Sequence, residues 1–175
     1  EHDIRDARYV GIEELRGLRD LVKRLDPGRL VTASCGDLSE ADLRRHLEAA
    51  GLDFIAPHRP RHAGSPQETE GKTRQYLAWM KDMGLVRPVH YQEPFRRDYG
   101  DWQPELEDFL TDAAGAAAGG AAGWCFHNGS SNRSEDQRPR RSFDLRDGPL
   151  FRQLDAVERQ VVRKLAETVR LEARN

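Results

Sequence analysis

The chain has 175 residues, of which 37% are hydrophobic and 33% charged, and its formal net charge is −2. This length suffices for one domain with a sizeable core, and the nearly balanced charge does not favour nucleic acid or an acidic lipid surface as a partner. No apolar run approaches the roughly 20 residues of a membrane-spanning helix, so we expect no membrane partner. The sequence begins with Glu1 rather than Met, and we expect it to be part of a longer protein whose compartment the sequence does not indicate.

The first half of the chain alternates helical and extended patterns. Residues 11–25 place their leucines on one helical stripe and predict an amphipathic helix. The apolar, β-branched run 29–35 predicts a strand. Ser39, followed three residues later by Asp42, predicts the capped start of a second helix. The segment 52–58 is the next predicted strand.

The second half repeats this alternation. A helix is predicted over 67–83 and a strand over 88–93, PVHYQE. A helix over 104–118 and a strand over 123–127 follow. After a long polar loop, the periodicity of 149–171 predicts a closing helix.

The order of these elements predicts an α/β fold. Strands that alternate with helices favour a parallel sheet, and near-continuous apolar strands are typical of a sheet that is buried on both faces. We therefore expect four parallel strands that are neighbours in chain order, within a single domain that covers residues 1–175. The small-residue tract 113–123 predicts a tightly packed helix end.

Polar residues follow each predicted strand at its carboxyl end. They are Cys35-Gly36-Asp37, His58-Arg59, Glu93-Pro94 and His127-Asn128. The carboxyl edge of a parallel sheet is where ligands bind in α/β proteins. The sequence therefore predicts a functional site at this edge.

Side-chain alternation along the strands indicates which residues share a face. If Glu93 points into a barrel, Tyr91 and Val89 point there too. His58 shares a face with Phe54, which supports a pairing of His58 with Glu93. In the fourth strand, alternation leaves the choice between Trp124 and His127 open.

Several of these strand ends resemble a known family. The segment PVHYQE (88–93) is similar to strand seven of the (β/α)8-barrel glycoside hydrolases of the cellulase-like clan, whose two catalytic glutamates end strands four and seven. APH at 56–58 resembles the histidine motif of strand six, although Pro60 stands where an aromatic residue is expected. GWCFHNG (123–129) resembles strand eight, where an aromatic residue lines the central sugar subsite. The resemblance implies an incomplete TIM barrel, the C-terminal half of a catalytic domain, with strands five to eight and their helices.

The resemblance also implies a reaction and its residues. Glu93 takes the position of the nucleophile, and Glu1 takes that of the acid/base glutamate, although the asparagine that precedes it in the family is missing here. A pair of carboxyl groups flanking an oxocarbenium-like transition state can cleave O-glycosidic bonds with retention. The implied activity is that of a glycosidase on a carbohydrate substrate, without a cofactor. The implied substrate-binding residues are His58, Tyr91, Trp102, Trp124, His127 and Asn128.

Half of a barrel lacks the strands and helices that pack against it in a complete barrel. It exposes sheet edges and an apolar inner face, so the N-terminal half of the barrel is the expected partner, and the isolated chain is expected to be inactive. Contiguous exposed apolar surface marks a missing partner. On this hypothesis four inner-face residues should be exposed: Phe54, Val89, Tyr91 and Phe126.

Two alternatives remain open at the level of sequence. A metal-dependent barrel enzyme could use His58, Glu93 and His127 as ligands, although the chain has no HxH or HExxH pair. Cys35 and Cys125 form no zinc spacing, and two buried thiols are expected. The other alternative is a carbohydrate-binding pseudoenzyme that keeps aromatic platforms but has lost the acid.

The arginines near this edge have two interpretations. They are Arg59, Arg61, Arg96 and Arg97. They could pair with Asp98 and Asp101, or they could bind a charged sugar.

Overall fold

The structure, a computed structural model, describes residues 10–127, 145–146 and 148–172, without the side chains of 166 and 169–172. Helices alternate with short parallel strands in this part, which confirms the predicted α/β class. The elements are α1 (Ile12–Leu25), β1 (Ser34–Cys35), α2 (Glu40–Arg44) continued by a π-helical turn (Arg45–Ala49), β2 (Ala56–Pro57), α3 (Ser65–Asp82), β3 (His90–Tyr91), α4 (Leu106–Gly119), β4 (Gly123–Trp124), α5 (Leu150–Gln153) and α6 (Ala156–Glu172). Within the described ranges, no helix has both the length and the apolar character that crossing a membrane requires.

The four strands follow one another in chain order, and all their pairings are parallel, as predicted. β1 pairs with β2, β3 pairs with β4, and a parallel bridge between Ile55 and Val89 joins the two pairs. The predicted strand lengths are wrong, because each regular strand has only two residues. Pro57 lies inside β2 and Pro88 just before β3, and neither has a backbone N–H for a ladder hydrogen bond. The described strands form two small sheets rather than a closed barrel, so the half-barrel and its single domain stay predictions.

Capping side chains determine where two of the helices begin. The Ser39 hydroxyl accepts a hydrogen bond from the Asp42 amide at 3.1 Å, which confirms the predicted start of α2. The predicted closing helix is interrupted, because the backbone of Leu154 is extended between α5 and α6. Asp155 and Glu158 then exchange two hydrogen bonds of 2.8 Å between side chain and backbone, and this capping pair begins α6.

Two hydrophobic clusters form the core. One lies among the strands, α2 and α3, and its largest buried members are Leu43, Leu47, Ile55, Tyr76, Met80, Val89 and Tyr91. The other joins the loop after β3 to α4 and α6, and it contains Phe95, Phe109 and Val161. The packing of α3 on α4 is close, since a Cβ atom on Gly119 would lie 2.6 Å from the Cβ atom of Thr73. The small-residue tract 113–123 is therefore a tightly packed helix end, as predicted.

The predicted inner face is wrong for β3. Val89 and Tyr91 are fully buried in the cluster that contains α3, so they are not the exposed residues that the half-barrel hypothesis expected. His90 lies on the other face, with its ring edge-on to Phe54 at a centroid separation of 6.1 Å. The Cys125 thiol lies 3.8 Å from Nε2 of His90 and is exposed. The expectation of two buried thiols therefore holds for Cys35 alone.

Exposed apolar surface lies instead on α1. None of its residues is buried, and three leucines of its predicted apolar stripe, Leu18, Leu21 and Leu25, are 53%, 42% and 77% exposed. Helix amphipathicity normally reflects burial of the apolar stripe against another element. α1 contacts the π-helical turn after α2, but the described part of the chain leaves these three leucines exposed.

Candidate active site

Side chains from several strand ends meet around Glu93. This residue lies two positions after β3, and its carboxylate accepts a hydrogen bond from Nη2 of Arg61 at 2.9 Å. Its other oxygen lies 3.2 Å from Nε2 of His58. Arg61 and His58 both follow β2, so the carboxylate after β3 is held by side chains that follow the neighbouring strand β2. The structure thus brings Glu93 and His58 together, as the sequence predicted.

His58 connects this carboxylate to β1. The residue is buried, and its Nε2 atom lies 2.7 Å from the Ser34 hydroxyl as well as close to Glu93. His58 thus joins the end of β1 to the Glu93 carboxylate.

His127 approaches the same carboxylate from β4. Its Nδ1 atom lies 3.7 Å from Oε1 of Glu93, and its Nε2 atom is 2.8 Å from Nη1 of Arg96. An arginine N–H can only donate, so Nε2 accepts and the proton of the neutral ring lies on Nδ1, facing Glu93. Burial lowers the pKa of His127 to about 4; the charge of Glu93 opposes this shift, while the neighbouring arginines add to it. His127 is consequently neutral at pH 7.

A tyrosine ring orders the two arginines of the site. The guanidinium carbons of Arg61 and Arg96 lie 4.6 and 4.1 Å from the centroid of the Tyr99 ring. Cation–π contacts of this kind favour a flat stacked guanidinium. The loop after β3 thus contributes both Arg96 and the surface on which the arginines rest.

A cleft of about 320 Å³ opens beside this cluster. It is lined by Gly36 and Asp37 from the end of β1 and by residues 58–61 from the end of β2. On its rim, Asp37 accepts a hydrogen bond from the Tyr76 hydroxyl and lies 3.1 Å from the Lys72 ammonium group. The cleft therefore has a charged rim and connects through His58 and Arg61 to Glu93.

A buried polar network lies beneath the cluster. The Asp112 carboxylate on α4 accepts hydrogen bonds of 2.5 Å from the Thr69 hydroxyl and from the Trp124 indole N–H. Arg59, also buried, donates to the Thr69 hydroxyl at 3.2 Å. This network fixes the ends of β2 and β4 to α3 and α4. Arg59 therefore both lines the cleft and belongs to this structural network.

Three aromatic residues predicted to bind substrate make contacts with the core and the helix layer. The Tyr91 hydroxyl is 2.8 Å from the hydroxyl of Thr73 on α3, and the Trp124 indole donates to Asp112. The Trp102 ring packs against Phe95 at a centroid separation of 5.0 Å. All three are engaged with the core and helix layer, so we leave them out of the sugar site proposed below. Glu1 and Asn128, also predicted as site residues, lie outside the described residues.

Sequence reasoning missed two members of the cluster. Ser34 and Tyr99 were not assigned roles, whereas Arg61 and Arg96 were predicted either to pair with aspartates or to bind a charged sugar. Ser34 belongs to a strand whose parity with His58 could have indicated it, because Ser34 pairs with Ala56 two residues before His58. The positions of Arg96 and Tyr99 depend on an irregular loop, for which the sequence offers no periodic signal.

The geometry does not favour the metal alternative. His58, Glu93 and His127 do meet. However, Nε2 of His127 accepts a hydrogen bond from Arg96 and Nδ1 faces Glu93, while one oxygen of Glu93 accepts a hydrogen bond from Arg61. A divalent cation placed among these atoms would be repelled by the two guanidinium charges. Among the residues that the structure describes, no group of three or more His, Cys, Asp and Glu side chains could hold a metal ion.

The buried carboxyl of Asp112 predicts a pH dependence of stability. Burial raises its pKa to about 6, although the hydrogen bonds from Thr69 and Trp124 oppose this shift. The folded state then binds a proton more tightly than the unfolded state, in which the pKa is near 3.8. The contribution of Asp112 to the free energy of unfolding is therefore highest below about pH 4 and falls by up to about 3 kcal/mol as the pH rises to about 6 and above.

The substitution Asp112→Asn keeps the shape and removes the charge. We expect its free energy of unfolding, relative to the wild type, to rise between pH 4 and pH 7 by roughly 1–3 kcal/mol. Urea unfolding at four pH values, followed by tryptophan fluorescence, measures this difference. Asp101→Asn, at an exposed position, is the control and should change little across the range. A difference between Asp112→Asn and wild type that does not vary with pH would contradict the assignment.

Comparisons with known proteins place no constraint on this geometry. No family model matches the chain, and no curated protein or solved structure matches it.

Proposed function

We propose that the chain is the C-terminal half of a glycoside hydrolase barrel and that Glu93 is the nucleophile of a retaining reaction. The observation that carries the proposal is the environment of Glu93. Its carboxylate stands at the carboxyl edge of parallel strands, accepts a hydrogen bond from Arg61 and lies against His58. Both of these neighbours line an open cleft. A retaining glycosidase requires an ionised carboxylate beside the anomeric carbon.

The neighbours of Glu93 suit that role. Arg61 at 2.9 Å binds one oxygen of the carboxylate, and His58 lies 3.2 Å from the other oxygen. These contacts orient the carboxylate while the Glu93 side chain stays 28% exposed. His127, which is neutral, adds a polar group beside the Glu93 carboxylate and brings no further charge.

The second carboxyl group of the mechanism is assigned to Glu1, which the resemblance places at the end of the preceding strand. In a retaining enzyme the acid must be protonated while the nucleophile is ionised, and the two carboxyl groups lie roughly 5–5.5 Å apart. Glu1 would then donate its proton to the leaving oxygen and afterwards take one from the attacking water.

The half-barrel part of the proposal rests on the exposed face of α1. Leu18, Leu21 and Leu25 form an apolar stripe that the described part of the chain leaves uncovered. In a complete barrel, each helix packs between two neighbouring helices. A helix from the first half of the barrel would cover this stripe.

The stereochemistry of the product tests the proposal. A protein that combines this chain with the first half of the barrel is given an aryl glycoside, and proton NMR follows the anomer that forms first. We expect the first product to have the anomeric configuration of the substrate. Formation of the opposite anomer would show that Glu93 activates water and is not a nucleophile.

A further inference from the structure

The cluster around Glu93 holds more positive than negative charge. Arg61 and Arg96 both approach the same oxygen of Glu93, at 2.9 and 3.8 Å. Within the described ranges, neither arginine has a second carboxylate partner, and His127 is neutral. Two guanidinium charges thus face one carboxylate, which leaves one positive charge in excess.

This surplus is built into the fold. The side chains of Arg61 and Arg96 are only 24% and 18% exposed, and both rest on the Tyr99 ring. The adjacent Arg97 shows how the same loop satisfies a structural arginine: it donates to Asp155 at 2.7 Å, to the Pro104 carbonyl and to Glu105. Arg96 instead donates to Nε2 of His127 and lies 3.8 Å from Glu93, and its buried Nε atom has no hydrogen-bond partner. Holding two partly buried cations side by side is costly unless an anion joins them.

We propose that the site binds a sugar that carries an anionic group, a carboxylate or a sulfate, and that Arg61 and Arg96 hold this group next to Glu93. The inference rests on the proposed function for the position of the reacting sugar. Planar guanidinium groups bind carboxylate and sulfate oxygens through paired hydrogen bonds. The cleft of about 320 Å³, which Arg61 also lines, falls at the small end of the range for ligand sites and leaves room for the rest of the ring.

Titration of the 175-residue chain by isothermal calorimetry tests the inference without requiring turnover. The anionic probes are glucuronate, galacturonate and glucose 6-sulfate, and the neutral counterparts are glucose and galactose. We expect at least one anionic sugar to bind about tenfold or more tightly than its neutral counterpart, with an affinity that falls as salt increases. Comparing the affinities for the two uronates with that for glucose 6-sulfate shows whether the site prefers a carboxylate or a sulfate group. Inorganic sulfate serves as a further probe.

Two variants connect the preference to the arginines. Arg96→Gln should lower the affinity for the preferred anionic sugar about tenfold and the affinity for glucose much less. Arg44→Gln, which removes an exposed arginine paired with Glu48 on α2, should change neither. Circular dichroism of the variants checks that the fold is retained, and Arg96→Lys, which keeps the charge but loses the planar fork, should lose part of the affinity.

Three results would overturn the inference. They are equal binding of anionic and neutral sugars, binding of inorganic sulfate as tight as that of every anionic sugar, and a preference that survives Arg96→Gln. None of these depends on hydrolysis. Hydrolysis that is lost with Glu93→Gln, without any preference for anionic sugars, would support the proposed function and reject the anionic subsite. A preference for anionic sugars without any Glu93-dependent hydrolysis would support the subsite and reject the proposed function.

Discussion

Replacing Glu93 by glutamine is expected to reduce turnover by at least about 1,000-fold in a protein that joins this chain to the first half of the barrel. Glutamine has nearly the same shape and can still accept the hydrogen bond from Arg61, but it has no charge with which to attack the anomeric carbon. Loss of a catalytic nucleophile costs several orders of magnitude in kcat. Sugar binding should survive, so the loss should appear in kcat. Steady-state kinetics with an aryl glycoside, together with calorimetric titration of the substrate's sugar, separates these two effects.

Two further variants make the Glu93 prediction specific. Glu107→Gln changes an exposed glutamate in the first turn of α4 and should leave kcat within about twofold of wild type, since surface substitutions have small effects. Glu93→Gly should regain activity when azide is added, because the small anion fits the vacated space and can attack in place of the carboxylate. Near-normal hydrolysis by Glu93→Gln would leave Glu93 as an ion-paired residue at a strand end.

Replacing Phe95 by alanine is expected to lower the free energy of unfolding by about 3–5 kcal/mol. The Phe95 side chain is 1% exposed and packs against the rings of Trp102 and Phe109, with centroid separations of 5.0 and 4.9 Å. Its removal leaves a cavity between the loop after β3 and α4. Because Arg96 follows directly in the chain, the binding of sugars should weaken as well. Urea unfolding at constant pH measures the change in stability.

A matched substitution at the surface is the control for Phe95. Phe151 in α5 is 51% exposed, and Phe151→Ala should cost no more than about 0.5 kcal/mol. If both phenylalanine substitutions cost the same small amount, the cluster of Phe95, Phe109 and Trp102 does not anchor the loop.

Periodicity in the sequence was sufficient for the α/β class and for the order and direction of the strands. Alternating strand and helix patterns predicted parallel strands in chain order because the connection between parallel strands must cross back along the sheet, usually through a helix. The same reasoning placed Glu93 and His58 at one edge, where the structure brings them within 3.2 Å. This part of the prediction depends only on the direction of the strands and not on their length.

Side-chain orientation could not be predicted in the same way. Alternation holds only while the backbone is extended, and β3 ends at Tyr91, two residues before Glu93. Tyr91 therefore faces Thr73 on α3 while Glu93 reaches the cluster at the strand end. Trp124 likewise turns to Asp112, a buried charge on α4 that the sequence did not single out. Contacts between elements that are distant in sequence decided both orientations.

Trapping the covalent intermediate tests most directly whether Glu93 is the nucleophile. In a protein that joins this chain to the first half of the barrel, the proposal predicts that a 2-deoxy-2-fluoro glycoside with a good leaving group forms a glycosyl ester. This ester should be hydrolysed slowly, because the fluorine destabilises the oxocarbenium-like transition state of both steps. Peptide mass spectrometry should then find one added 2-fluoro sugar on the Glu93 side chain, and none in Glu93→Gln. An adduct on another carboxylate, or hydrolysis of the reagent with no adduct on Glu93, would contradict the account.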